Sequence, residues 1–448
     1  MRGRLLHIDW NPEDTPEALH EAYRAATDPL VKSRLHALWL LRTGKRMAEV
    51  APLLGFVYRT VQKWLDHYRQ RAGLRSSGCR HAGTFMNSRT MSGRIGMSRI
   101  GAEVVVLERG PAGFATRGGG LGVSPQLCHA LAATEDAMPR HVVHQRRRLW
   151  IRGAEHEEAA NIAVTSYGIL WRWLRAQLPE SMVEFGQTVA LIDAQTAHPR
   201  VTTTDARARA FDLVVAADGG GSEARRHVLA DDAHAAFAGY VLWRGLVPFA
   251  ALDDRTGLYR GTLHIANRGD HHFVGYTIPS EESCFAAMNW GWYVPTDEAT
   301  FAELRAEGAV HLPYRLERCT AALDAFLRVQ AASRERWPGW VEQIIDRTIA
   351  CGSIAPHPVY EFAASSMVRG RVVLVGDAAH LASPITGSGG RMAMEDALAL
   401  ADALAEHGDV DAALAHFSHC RTREGTAVVE QGRQRGAAFR ATTSRRTA

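Results

Sequence analysis

The stretch from Arg371 to Leu400 narrows the folds open to this chain more than any other. It opens with Val372-Val373-Leu374-Val375, a short continuous apolar run of the kind buried in a parallel sheet. It turns through Gly376-Asp377-Ala378-Ala379-His380 and passes Pro384, Gly387, Gly389 and Gly390. Helical text then runs from Met392 through Glu395-Asp396 to Leu400. A strand that delivers a glycine lets a ligand approach the backbone, and the Asp377 carboxylate suits a sugar hydroxyl. At a glycine-rich helix start, free amide N–H groups and the helix dipole favour negative charge. Packing alone is the other reading of such a string.

The text before it agrees with an α/β chain. Ala102 to Leu107 is a second buried-strand run, ending in Glu108-Arg109; an acid there suits hydrogen bonding to an adenosine ribose, although any strand can end in a glutamate. Phe211 to Ala217 is a third, leading into Asp218-Gly219-Gly220-Gly221-Ser222-Glu223-Ala224-Arg225. An Asp-Gly turn is by itself most often only a turn. Residues 237–295 alternate aromatic and apolar segments, among them Tyr240 to Trp243, Phe273 to Tyr276 and Met288 to Tyr293, which predicts an inserted antiparallel sheet.

The Gly376–Asp396 segment resembles the ribityl-binding motif of single-component flavin-dependent aromatic hydroxylases, the p-hydroxybenzoate hydroxylase family. The 218–225 loop resembles that family's D-G-x-x-S-x-x-R motif. The resemblance implies FAD and NAD(P)H as cofactors. It places Asp377 on the ribityl chain, with Gly376 before it leaving room for the cofactor, Pro384 beside the flavin, and the Gly387, Gly389 and Gly390 amides facing its ring, whose reduced form carries negative charge. Glu108 and Arg109 would face the adenosine end, and Asp218, Gly219 and Arg225 the pyrophosphates. Arg117 to Gly122, followed by Ser124-Pro125, resembles the loop that runs along the flavin. Arg391 departs from the family, which usually has a small polar residue there; a long cation would alter flavin binding or redox balance.

The middle region, with Gly239 to Leu246, His272 to Pro279, Asn289 to Tyr293 and the helix text Thr165 to Leu174, resembles the 2,6-dihydroxypyridine 3-hydroxylase branch. It implies hydroxylation of a small hydroxylated ring with O2, with Arg244 and Tyr276 as the catalytic candidates that favour its phenolate-like form. Most of these aromatics are equally explained as sheet core, and His380 as structural. A flavin dehydrogenase or halogenase is disfavoured: Trp171-Arg172-Trp173-Leu174 matches a halogenase signature only superficially.

A dinucleotide fold also needs an earlier strand and a G-x-G-x-x-G loop. That loop should fall near residues 80–90, which read Arg80-His-Ala-Gly83-Thr-Phe-Met-Asn-Ser-Arg-Thr90, with no such glycines; Gly93 and Gly96 have the wrong spacing. The expectation is therefore an α/β, Rossmann-like FAD-binding domain lacking its first strand and Gly-rich loop, with poor or no FAD binding.

The first 75 residues read differently. Leu30, Val31, Leu35, Leu38, Trp39 and Leu41 recur at helical spacing, Met47 to Leu54 fits a second helix ended by Gly55, and a third starts near Arg59. This is a helix-turn-helix pattern that would present Arg59, Gln62, Lys63 and Arg69 to DNA, or a plain helical hairpin. Arg34 to Leu41, Val50 to Gly55, Arg59 to Leu65 and Gly73-Leu74 resemble the N-terminal DNA-reading domain of IS630-type transposases, without the acidic catalytic domain.

The expected layout is a helix-turn-helix module at 1–75, a junction or linker at 76–98, FAD-binding segments at 99–236 and 351–435, an antiparallel β-sheet substrate region at 237–350, and a flexible tail at 436–448. The second reading is a transposase-derived DNA-binding remnant joined to an inactive flavoprotein fragment. The formal charge of +4 on 448 residues argues against wholesale nucleic-acid binding. Six cysteines lie far apart without C-x-x-C spacing, so reduced thiols and no metal site are expected. No apolar run reaches spanning length, so the expected location is the cytoplasm, with no membrane partner. Expected partners are a small aromatic substrate, O2, weak DNA contact by residues 30–75, and a second copy of the chain.

Overall fold

The computed structural model describes residues 10, 14–25, 29–54, 61, 65, 81–86, 101–110, 119–132, 138–195, 197–229, 233–310, 319–332 and 337–440, with the backbone alone at 29–31, 81–86 and 440. Three helices open it: α1 (Pro16–Ala25), α2 (Pro29–Arg42) and α3 (Met47–Leu53). Ala37, Leu40 and Leu41 of α2 bury against Met47, Val50 and Ala51 of α3 and against Val61 and Leu65. Those last two are helical, but Arg59, Gln62, Lys63 and Arg69, expected to face DNA, lie outside the described residues.

The nucleotide-type layer is a six-stranded sheet. Its order is β16 (Val368–Arg369), β17 (Val372–Leu374), β10 (Leu213–Ala217), β1 (His81–Met86), β2 (Glu103–Glu108) and β6 (Val183–Phe185). All neighbours are parallel except β16 and β17. The expectation of a missing first strand is thereby corrected. His81–Met86 sits at the centre, pairing Met86 with both Glu108 and Ala217. It also lies inside the stretch expected to be a linker. The physical reason is the backbone: a vacant centre would leave the facing N–H and C=O groups of β2 and β10 without partners. The Gly-rich sequence remains absent, and residues 87–100 lie outside the described residues.

Val214, Val215 and Ala216 of β10 and all of β17 are fully buried. They pack in one core with Leu400 and Leu404 of α10 (Gly389–Glu406) and Leu414 and Phe417 of α11 (Val410–Arg440). Residues 436–440, expected to belong to a flexible tail, continue α11 to Arg440, and Phe439 is buried against Tyr240 and Tyr293; residues 441–448 lie outside the described residues. Short helices α4 (Pro125–Leu131), α5 (Tyr167–Ala176) and α6 (Arg225–Leu229) complete this half with a small sheet of β7 (Val189–Asp193), β8 (Arg200–Thr203) and β9 (Ala208–Ala210).

The second sheet has nine strands in the order β18 (His380–Leu381), β15 (Ser353–Ala363), β11 (Ala236–Pro248), β14 (Ala287–Pro295), β13 (His271–Ile278), β12 (Thr262–Arg268), β4 (Val142–Ile151), β5 (Ala154–Ser166) and β3 (Gly120–Gly122). Only β12 and β4 pair in parallel. The inserted sheet thus draws strands from outside 237–350. Period-two alternation gives it two faces. Val241, Trp243, Val247, Phe273, Met288, Trp290 and Trp292 bury toward α7 (Glu298–Ala306), α8 (Thr320–Ala332) and α9 (Gly339–Cys351). A Cβ on Gly245 would stand 2.1 Å from the Trp290 ring, so glycine is what admits that indole. The other face carries Tyr240, Leu242, Arg244, Tyr276, Asn289 and Tyr293.

Candidate active site

Strand β17 ends in a tight turn at Gly376–Ala378. Gly376 has φ +59°, and a Cβ there would lie 3.1 Å from Ala393 Cβ on α10, so two constraints select glycine. The Gly376 N–H donates to Asp396 Oδ2 at 2.7 Å. Asp396 is fully buried on α10 and also meets His380 Nε2 at 2.6 Å and Arg421 Nε at 2.7 Å. Burial would push the Asp396 carboxyl up, but the charges of His380 and Arg421 and three hydrogen bonds hold it below its ordinary value. Burial likewise disfavours the His380 cation, yet the adjacent Asp396 raises the imidazole above its usual range. His380, expected to be structural, is one arm of a charged brace under the turn.

Asp377 is half-buried at the turn, Pro384 and Gly387 are exposed, and Gly387 takes the left-handed conformation at φ +64°. Gly389 and Gly390 form the first turn of α10, whose N-cap residue Ser388 makes no side-chain capping bond. Arg391 is exposed and pairs with Glu395 at 2.6 Å. Its charge is thus partly neutralised within its own helix.

The 218–225 loop lies beside this turn, and Arg225 joins the two. Its guanidinium is buried over the Phe362 ring, donating to Ala378 O at 2.6 Å, Gly220 O at 2.8 Å and Asp377 O. Burial lowers its pKa to about 10, with Asp218 and Asp377 partly opposing. Arg225, expected to face pyrophosphate, has its guanidinium on three carbonyl oxygens of the two loops. Asp218 Oδ2 accepts from Ala224 N at 3.1 Å, while Asp218 Oδ1 is buried and accepts no bond among the described residues. Gly219 stands at φ +82°. Glu108 is buried at the end of β2, and its Oε1 accepts from Gly110 N at 2.6 Å; Arg109 is exposed.

The polar face of the nine-stranded sheet meets the same region. Tyr240 donates to Ser383 Oγ at 2.7 Å, tying β11 to the loop before α10. Arg244 and Asn289 close on Gly119, where a Cβ would lie 2.2 Å from Arg244 Nη2 and 2.3 Å from Asn289 Oδ1. Asn289 Oδ1 also accepts from Gly120 N at 2.8 Å. A Cβ on Gly120 would stand 2.5 Å from the Tyr276 ring. Burial raises the Tyr276 phenol above its usual value, with Arg244 opposing. His357, across β15 from Leu242, is driven well below its usual range by burial and by Arg244. Arg244 and Tyr276 are therefore brought together, with Asn289 as a third member that sequence reading did not single out.

The stretch 341–432 matches a family model described as an FAD binding domain, and residues 28–76 match a homeodomain-like domain. The chain is 22% identical over 339 residues to a 2,6-dihydroxypyridine 3-monooxygenase of Paenarthrobacter nicotinovorans, covering 74% of this chain and 84% of that protein. It is 30% identical to an FAD-dependent urate hydroxylase of Mycolicibacterium vanbaalenii over 56% of this chain, and spans 58% of that relative's length. Residues 341–432 thus carry an FAD binding domain, and most of the chain is similar to FAD-dependent monooxygenases. Its fold agrees with that of the 2,6-dihydroxypyridine-3-hydroxylase from Arthrobacter nicotinovorans, at a TM-score of 0.71 and 21% identity, over 81% of this chain and 93% of that one.

The residues present fit the flavin half of FAD. Asp218 Oδ1, a buried carboxylate oxygen without a donor among the described residues, calls for a hydroxyl. The Gly376 turn and the open start of α10 offer backbone close to a ligand. Within the family fold, Asp377, Asp218 and the Gly387–Gly390 amides are the groups that would hold the cofactor. Arg117 and Gly118 of the loop expected along the flavin lie outside the described residues, whereas Gly119 to Gly122 emerge as its β3 end.

Proposed function

We propose that this chain hydroxylates a small hydroxylated aromatic or heteroaromatic ring. One oxygen atom of O2 enters the ring and the other leaves as water, with NAD(P)H as the two-electron donor. FAD, when bound, supplies the reactivity toward NAD(P)H and O2. The observation that carries this reading is the convergence of Arg244, Tyr276 and Asn289 on Gly119–Gly120, on the sheet face that Tyr240 ties to the loop before α10. A planar ring seated there would meet a guanidinium able to stabilise its oxyanion, a phenol held protonated by burial, and an amide for a ring oxygen or nitrogen. The relatives named for dihydroxypyridine and urate act on rings of this chemistry.

The test combines the chain with FAD, NADH or NADPH, and 2,6-dihydroxypyridine or urate. Ring-dependent NAD(P)H oxidation with a product gaining one oxygen supports the reading; oxidation without an oxygenated product overturns it. Arg244→Met should raise KM by about tenfold or more and lower kcat, since a charged contact to a ring oxyanion is lost. Tyr276→Phe should have the smaller effect.

The homeodomain-like match supports a second activity in the same chain, weak duplex DNA contact by residues 30–75. Retention on DNA that falls steeply with salt is expected, and salt-independent retention or none would refute it. Among the described residues no helix is long and apolar enough to cross a membrane.

A further inference from the structure

We propose that Tyr240 is a positioning residue for oxygen transfer. Its hydrogen bond to Ser383, gripped by the last turns of α11, sets the spacing between the ring-binding sheet face and the loop before α10. Under the ring-hydroxylation reading above, on which this rests, that loop faces the flavin.

Tyr240 and Arg244 lie on one face of β11, an even number of residues apart. The Tyr240 phenol donates to Ser383 Oγ at 2.7 Å, and both side chains are fully buried. Ser383 in turn opens the short turn Pro384–Thr386. Its carbonyl accepts from Thr386 N at 3.0 Å and from Thr386 Oγ1 at 2.9 Å. One side-chain bond thus joins the strand that carries Arg244 to the turn that leads into Gly387 and α10.

Residues 432–439 of α11 hold both ends of that bond. On the sheet side, the Phe439 ring stacks on Tyr293, with centroids 5.7 Å apart and 18° between planes, and meets the Tyr240 ring at 5.2 Å. On the loop side, Arg435 Nη1 donates to Ile385 O at 3.2 Å. The helix comes this near at two glycines. A Cβ on Gly436 would stand 2.9 Å from Tyr240 Oη, and one on Gly432 3.3 Å from Ser383 N.

Arg244, Tyr276 and Asn289 orient a ring within the sheet face, whereas the Tyr240–Ser383 bond acts between that face and the loop. This spacing matters because a misplacement of about 1 Å between reacting groups costs roughly 100-fold in rate. Two outcomes compete for the electron pair of NAD(P)H. With the ring in place, NAD(P)H, H+, O2 and the ring give NAD(P)+, water and the hydroxylated ring. With the ring misplaced, NAD(P)H, H+ and O2 give NAD(P)+ and H2O2. Losing the bond shifts the balance toward the second.

Tyr240→Phe removes only the hydroxyl and keeps the ring against Phe439. The full chain is assayed with FAD, NAD(P)H and 2,6-dihydroxypyridine or urate, measuring oxygenated product and H2O2 per NAD(P)H oxidised. Product per NAD(P)H is expected to fall by about threefold to tenfold, the size of one lost neutral hydrogen bond, with H2O2 making up the difference. KM for the ring should stay within about twofold of wild type, since its own contacts are untouched. Ser383→Ala should show the same fall, and the double variant no further one, because both remove a single bond. An unaltered product ratio, defects that multiply in the double variant, or loss of bound flavin from Tyr240→Phe overturns the positioning role and leaves the hydroxylation reading intact. A wild-type chain that forms no oxygenated product removes that reading, and the role of Tyr240 with it.

Discussion

Replacing Asp396 with alanine is expected to cost about 3 kcal/mol of stability, because it leaves the buried His380 imidazolium without its anion and takes one carboxylate from Arg421, which keeps Glu424 and Glu395. Asp396 is 0% exposed and His380 3%, so water cannot take over the contact that His380 loses. The Gly376 N–H loses its acceptor in the same step. Asp396→Asn keeps the shape and one acceptor but not the charge, and should fall between the two. Urea unfolding followed by tryptophan fluorescence measures both. A loss below about 1 kcal/mol for alanine would mean that the network is not a brace.

The same network fixes the pH dependence. His380 is raised in the folded state, so its contribution is complete below its unfolded value of about 6.5 and is lost as pH rises through the folded one. Asp396 is lowered, so its contribution is present above about pH 3.9 and is lost as pH falls through its folded value. Stability from this pair should therefore be greatest between these limits and decline on the alkaline side. In Asp396→Asn the alkaline decline should flatten, since His380 no longer gains an anion on folding. The buried histidines held below their usual range, His144, His264, His272 and His357, add stability over the same window, so the comparison of the two profiles isolates the pair: parallel wild-type and Asp396→Asn curves from about pH 6 to 8 would contradict this assignment.

Local pattern carried much of the fold. The apolar run before Gly376 became β17, α10 begins at Gly389, and the aromatic alternation of 237–295 became β11 to β14. Each of these signals is contained within one element. Strand β1 was not legible, because His81 to Met86 has no apolar alternation; its place is imposed by the open edges of β2 and β10 on either side. The β4–β5 hairpin was also missed. Its text is charged, and it is held by cross-strand pairs such as Arg147 with Glu158 and Arg148 with Glu157, around a turn in which Arg152 and Gly153 both have positive φ. Phe439 was hidden in a polar stretch.

In the site, the motif residues were visible but their orientations were not. Asp396 stood in the recognised segment without a role, and Arg421 lies in the polar run of α11, where nothing local separates it from its exposed neighbours. Asn289 sat between aromatics, and only the approach of Gly119 and Gly120 gives it a function. Arg225 is the sharpest case. A motif can say that an arginine is present, but which way it turns depends on carbonyl groups 153 and 152 residues away.

That orientation gives Arg225→Lys an effect unusual for a charge-conserving change. The guanidinium spreads three donors to Gly220 O, Asp377 O and Ala378 O while its Cζ lies 4.2 Å from the centre of the Phe362 ring. An ammonium is a compact point charge that cannot span these acceptors or stack in the same way. At least one buried carbonyl would lose its donor, and a smaller, strongly hydrated cation would be left at a site 2% exposed. The expected cost is about 2–4 kcal/mol. Flavin affinity should fall by about tenfold or more, since the Asp377 turn and the 218–225 loop, the proposed flavin contacts, lose their common tether. Arg225→Met, which fills much of the volume without burying a charge, should be no less stable than the lysine variant, yet should bind flavin equally poorly. If instead lysine retained full flavin affinity while methionine lost it, Arg225 would act on the cofactor as a charge, and the inward geometry would not be the one that matters.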